Sequence, residues 1–230
     1  MLKTIKPWTA IIPLRAGSKG LPNKNILPLN GQCLYLYAVN AALAAGASRI
    51  VITTDIAEVL NAPSINTVDC IVRPQHLCGD TVDMATVLLH LIQTEGLSGT
   101  LVLLQATSPL RTAAHIQAGL TLFNTQNYDL VMGVTPAERS ILKWGLLQNS
   151  QFIPLSNPEY CFSNRQQLPE VVRPNGALYL FDAAWFINNG GFTGSNLTRI
   201  GALNMDENDS LDIDNAADFA ACATVLLDKQ

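Results

Sequence analysis

Short, almost wholly apolar runs alternate with segments of helical pattern along most of this chain, and that rhythm most constrains its fold. Residues 10–14, Ala-Ile-Ile-Pro-Leu, open as a strand. Residues 32–45 read as a helix stopped at Gly46. Residues 49–54, rich in Ile, Val and Thr, form the next strand; 56–61 make a short helix and 67–72 another strand. A helix over 81–94 precedes the very apolar strand 100–105. Thr112 caps a helix running to about Thr125, and 129–134 is again a strand. Strands with no polar alternation must be covered on both faces, as in a parallel sheet between two layers of helices. The expected fold is α/β: a Rossmann-like, mostly parallel sheet with helices on both faces. Ligands of such sheets sit beyond the carboxyl ends of the strands. The loops after Leu14, Thr54, Val72 and Gln105 are therefore expected on one edge.

The rhythm changes after Val134. Residues 143–155 read as a β-hairpin turning at Gln148-Asn149-Ser150, followed by a polar loop over 156–170. Residues 137–172 are read as an insertion outside the main sheet, within one domain spanning 1–230. Residues 175–181 and 200–205 return to the sheet, and 216–228 close the chain as a helix.

An apolar fraction of 48% against 14% charged supplies a substantial core. The net charge of −4 argues against nucleic acid as a partner, though a local cluster of cations can still hold an anion. The five cysteines show no CxxC spacing, and residues 1–8 lack the apolar stretch of a signal peptide. A cytoplasmic protein is expected, with most thiols acting as small core residues. No apolar run is long enough to span a membrane, so no membrane partner is expected. His76, His90 and His115 show no ligand spacing.

The strongest local signal is Arg15-Ala16-Gly17-Ser18-Lys19-Gly20-Leu21-Pro22-Asn23-Lys24-Asn25, directly after the first strand. Its glycines let the backbone curl so that N–H groups point at a phosphate. Arg15, Lys19 and Lys24 concentrate the positive charge that a triphosphate needs. The spacing fits neither the Walker A loop nor the GxGxxG dinucleotide fingerprint. A solvated turn is the plain alternative.

With Ile11-Ile12-Pro13-Leu14 before it, this segment resembles the N-terminal signature of the acylneuraminate cytidylyltransferases. Leu14 and Ala16 depart from it, standing where Ala and Gly are more usual. Three further stretches are similar to that family in the same order: Leu103-Leu104-Gln105-Ala106-Thr107-Ser108-Pro109-Leu110-Arg111, then Arg173-Pro174-Asn175-Gly176-Ala177-Leu178-Tyr179, then Asp212-Ile213-Asp214 with Asp218 beyond. The CMP-Kdo synthetases, its relatives, usually carry a different first loop. The resemblance implies a Rossmann-like domain with a small inserted dimerisation element, and hence a homodimer. It implies CTP and a nonulosonic acid as substrates, N-acetylneuraminic acid first among them, with release of pyrophosphate. It further implies that Leu14, Arg15, Ala16, Gly17, Ser18, Lys19 and Asn25, with Arg73 and Thr81, meet the nucleotide. Beyond Thr81 the family often carries small hydroxyl residues, whereas Val82, Asp83 and Met84 stand here.

Asp212 and Asp214 flank Ile213, and in an extended segment residues i and i+2 point the same way. Both carboxylates then face one point, which suits Mg²⁺ taking a pair of carboxylates plus phosphate oxygens. A solvated acidic loop is the alternative, as is Asp214 capping the last helix. With Arg15, Lys19 and Lys24, the pair makes up the expected catalytic set. Gln105, at a strand end, suits a polyhydroxylated sugar. The family resemblance adds Arg165 as the fork for the sugar carboxylate, on a loop that a partner subunit contributes, with Lys143 as a second candidate. Asn175 and Tyr179 match sugar-side positions, Tyr179 alternatively being core, and Phe192 either covers an N-acyl group or packs in the ordinary way. Rival readings are the same transfer to legionaminic, pseudaminic or Kdo-type acid, a catalytically silent nucleotide-binding regulator, and a glycosyltransferase using a CMP-sugar donor.

Overall fold

The computed structural model describes residues 6–193 and 197–229. Residues 1–5, most of the segment read above for a leader pattern, lie outside that range. Seven strands make one sheet: β1 (Trp8–Pro13), β4 (Arg49–Thr54), β5 (Val68–Val72), β6 (Thr100–Leu104), β7 (Leu130–Ala137), β10 (Val171–Asp182) and β11 (Ile200–Asn204). Their order is β11-β7-β10-β6-β1-β4-β5. All run parallel except β10, which pairs antiparallel with both β6 and β7. The mostly parallel sheet is therefore as expected. The direction of β10 is not written in its composition, because a buried apolar strand reads the same either way.

Alternate strand residues feed opposite faces, as the pleat requires. Ile12, Ile52, Leu104 and Leu180 pack under α1 (Leu34–Ala44) and α4 (Ala113–Gln126). Ile11, Val51, Leu103 and Phe181 pack under α3 (Met84–Thr94) and α5 (Ala183–Asn189). A short helix, α2 (Ala57–Leu60), leads into β5, and α6 (Ala216–Asp228) closes a third cluster with Leu29, Leu34, Leu110 and Ile213.

Two helices start later than their patterns suggest. Gln32–Cys33 (β3) pairs instead with Pro28–Leu29 (β2) across Asn30 and Gly31, both at positive φ, so α1 begins at Leu34. Asp83 accepts from the Thr86 N–H at 2.8 Å and so caps α3, leaving residues 81–83 in the turn before it. Residues 138–170 leave the sheet between β7 and β10. They contain the hairpin of β8 (Gly145–Gln148) and β9 (Gln151–Pro154), turning at Asn149 and Ser150, then two short 3-10 turns. The thiols correct one expectation: only Cys222 is buried, whereas Cys70 is exposed on edge strand β5 and the other three are half-buried. No helix among the described residues is long and apolar enough to cross a membrane.

The chain runs from β1 out to β4 and β5 on one side, then returns through β6 to build the other. The switch point thus lies between β1 and β6, where open α/β sheets leave a crevice.

Candidate active site

The loop after β1 is held by its own polar atoms. Asn25 is buried and donates to the Arg15 carbonyl at 3.0 Å, and Gly17 turns the chain at φ 71°. The Ala16 N–H donates to Asp55, in the loop after β4, at 2.7 Å. Lys24 is almost covered, donates to the Ile213 carbonyl and stands 3.7 Å from Asp214. Gly20 lies so close to the Asp214 backbone that a Cβ there would meet its carbonyl oxygen at 2.1 Å. The first loop and the carboxylate segment, nearly two hundred residues apart in sequence, are therefore built as one unit.

Between them lies a cleft of about 340 Å³ at the switch point. Arg15, Lys19 and Lys24 line it together with Arg73, Gln105 and Asp214. Asp212 and Asp214 share a neighbouring hollow of about 690 Å³ with Arg173. Ile213 is fully buried, so the alternation read from sequence holds. Asn215, not Asp214, caps α6, accepting from the Ala217 and Asp218 N–H groups at 2.8 and 3.1 Å. Asp218 answers by accepting from the Asp214 and Asn215 N–H groups, a reciprocal cap. That leaves the Asp214 side chain turned to the cleft.

Burial pushes the Asp212 carboxyl above its usual range, bonding from Thr107 opposes this, and the charge of Asp214 reinforces it. A cation between the two carboxylates would relieve both unfavourable effects. No group of three or more His, Cys, Asp or Glu side chains gathers as a metal cage among the described residues. Two carboxylates beside a cationic polyphosphate-sized cleft fit Mg²⁺, which takes its remaining ligands from phosphates and water.

Arg73 is buried rather than solvated. Its Nη2 donates to the Thr53 carbonyl at 2.9 Å, burial lowers its pKa, and its Nε has no partner among the described residues. Arg111 is deeper still. Its Nη1 donates to the carbonyls of Gln105 at 3.0 Å and Ala177 at 2.6 Å, tying the end of β6 to β10. Beside it, β10 shifts register between Pro174 and Tyr179 through Gly176 at φ 76°.

Several expected contacts take other roles. The Leu14 side chain is core, and the Ala16 N–H is held by Asp55, which limits what either offers a nucleotide. Gly17 is exposed on the loop, whereas Ser18 lines the cleft beside Arg15 and Lys19. Thr81 is exposed in the turn past Asp80. Asn175 is turned inward: its amide donates to Ser210 at 2.9 Å and to the Met205 sulfur, and its oxygen accepts from the Ala177 N–H at 3.1 Å. Its amide supports the register shift instead of facing a sugar. Tyr179 feels the charge of Asp212, yet it also packs with Phe192, whose ring sits against Phe181 and Phe186 at centroid distances of 5.1 and 4.7 Å. Lys143 donates to the Ser163 carbonyl at 2.5 Å, and Arg165 pairs with Glu138 at 2.8 Å in a separate hollow. Neither reaches this chain's cleft.

The sequence reading missed Asp55, Asp80, Ser108 and the close approach at Gly20. Asp80 pairs with both Arg15 and Lys19, and Ser108 reaches Asp212 at 3.5 Å. One signal was present: the loops after β4 and β5, both placed on the ligand edge, each carry an Asp.

A family model described as "Cytidylyltransferase" matches residues 9–151. An N-acylneuraminate cytidylyltransferase of Escherichia coli is 31% identical over 94% of this chain and 51% of its own length. The chain thus spans about half the length of the curated N-acylneuraminate cytidylyltransferases it matches. A CMP-N,N'-diacetyllegionaminic acid synthase of Legionella pneumophila is 30% identical over 92% of both chains. Among solved structures, a CMP:2-keto-3-deoxy-manno-octonic acid synthetase complexed with CTP superposes with a TM-score of 0.74 at 14% identity, over 97% of this chain and all of that one.

Proposed function

The chain belongs to the cytidylyltransferase family, and from that membership we propose that it transfers CMP from CTP to the anomeric hydroxyl of a nonulosonic acid, releasing pyrophosphate. One observation carries the reading. Three cations of the first loop share the switch-point cleft with Asp214, and Asp212 stands beside it.

In this reading Arg15 and Lys19 bind the outer phosphates, and Lys24, fixed by Ile213 and Asp214, holds charge near the α-phosphate. Such preorganised cations favour the transition state because they need no rearrangement as charge develops. Asp212 and Asp214 would hold Mg²⁺, which neutralises phosphate charge during an in-line displacement when bound. Gln105 offers the sugar both a donor and an acceptor. Arg73, buried beneath the cleft, holds its floor and faces the nucleotide.

The acid is N-acetylneuraminic acid in our first reading. Legionaminic acid is the second, because a CMP-N,N'-diacetyllegionaminic acid synthase is 30% identical to this chain, against 31% for the N-acylneuraminate enzyme of Escherichia coli.

We also assign residues 138–170 to dimerisation. Leu147 and Phe162 are 81% and 91% exposed there, beside exposed Trp144, Leu146 and Phe152. Apolar side chains so displayed favour a partner surface. A second copy would bring Arg165 and Lys143 to the neighbouring cleft. The reaction is tested by mass-spectrometric detection of a CMP-linked product from CTP, Mg²⁺ and N-acetylneuraminic or legionaminic acid. Product from the wild type and none from Asp212→Asn is expected; wild-type yield from that variant would sink the metal assignment.

A further inference from the structure

Asp80, in the turn between β5 and α3, engages both outer cations of the first loop at once. Arg15 Nη1 lies 2.5 Å from its Oδ1 and Lys19 Nζ lies 2.7 Å from its Oδ2. Each carboxylate oxygen thus serves a different cation, and both cations belong to the cleft wall. Bonding from Lys19 and then from Arg15 holds the Asp80 carboxyl below its ordinary range, so it is ionised at neutral pH. The contact is solvent-exposed, Lys19 most of all, and exposed pairs of this kind are weak. A phosphate and a carboxylate cannot both take the same two cations without like charges meeting. A polyphosphate brings more charge than one carboxylate and so displaces it.

We propose that Asp80 is a displaceable internal anion: it holds Arg15 and Lys19 in position between turnovers, yields them to the triphosphate, and returns to compete pyrophosphate off the loop. No covalent bond changes in this step. Asp80 is a positioning residue acting through the two cations, and the assignment rests on the cytidylyl-transfer reading.

The test is calorimetric titration of the protein with CTP and, separately, with inorganic pyrophosphate, both with Mg²⁺. Asp80→Asn removes the charge and keeps the shape. It is expected to tighten both ligands on the order of fivefold, since two exposed pairs no longer compete. In turnover, the KM for CTP should fall while pyrophosphate inhibition strengthens. Asp80→Glu, which restores the charge, should return affinities toward wild type. Asp83→Asn is the control: it removes one charge from the same loop, and Asn still caps α3, so affinity should stay within about twofold. Unchanged or weaker binding by Asp80→Asn overturns the proposal while leaving cytidylyl transfer standing. Equal tightening by Asp83→Asn also overturns it, because only the general field would then matter. Failure of every protein to bind either ligand overturns both readings together.

Discussion

Gly20→Ala tests whether the first loop and the carboxylate segment act as one unit. The new methyl would stand 2.1 Å from the Asp214 carbonyl oxygen, where a carbon–oxygen contact needs roughly 3.3 Å. Backbone faces backbone, so no side chain can rotate away and one segment must move by roughly 1 Å. Overpacking of this kind costs about 1–3 kcal/mol, and at about 2–4 °C per kcal/mol for a chain of this size Tm should fall by about 2–12 °C. A shift of roughly 1 Å between the phosphate loop and Asp214 should also lower kcat about a hundredfold. Gly31→Ala separates the two effects. Gly31 sits at φ 84° with open space around it, so the substitution strains the β2–β3 turn, none of whose residues lines the cleft. It should lower Tm with kcat within about twofold of wild type. Differential scanning calorimetry and pyrophosphate-coupled kinetics on both variants decide the matter. Wild-type Tm and kcat in Gly20→Ala would refute the reasoning, as would an equal loss of kcat in Gly31→Ala.

Because burial raises the Asp212 carboxyl, the folded chain keeps a proton there that the unfolded chain has lost, so this group's contribution to stability falls as pH rises through the raised value. Asp212→Asn should remove that loss, which appears as a stability gain over wild type at pH 7 in urea titrations without Mg²⁺, together with abolished turnover; a less stable variant at pH 7 would contradict it. Arg111→Ala should cost about 2–4 kcal/mol by urea titration, because it opens a cavity and leaves the Gln105 and Ala177 carbonyls without their donor. A change below about 0.5 kcal/mol would contradict that role. Leu147→Glu with Phe162→Glu should convert a dimer to a monomer in sedimentation; a wild-type monomer would remove the dimer assignment.

The strand pattern was legible because each buried strand had to be apolar on both faces, and Ile11-Ile12 and Leu101–Leu104 could be little else. The carboxylate pair was legible for the opposite reason: two charges flank Ile213, and only alternation buries one while presenting the others. What escaped was long-range. Asp55 meets Ala16 across 39 residues and Asp80 meets Arg15 across 65, and a lone Asp in a loop carries no mark of its partner. Asn175 sits in a run that resembles a sugar-side motif, yet its amide closes the β10 register shift. Nothing in the local sequence distinguishes an amide turned in from one turned out. Arg165 and Lys143 escaped in the same way: they pair here with Glu138 and with the Ser163 carbonyl, partners across 27 and 20 residues that the local sequence does not mark.

Pyrophosphate release from CTP and Mg²⁺, measured separately with N-acetylneuraminic, legionaminic, pseudaminic and Kdo acids, tests the central claim most directly. Release with N-acetylneuraminic or legionaminic acid, and none without an acid, is the expected result. No release with any of the four, from protein that still binds CTP, would contradict it and leave a nucleotide-binding protein without this transfer activity.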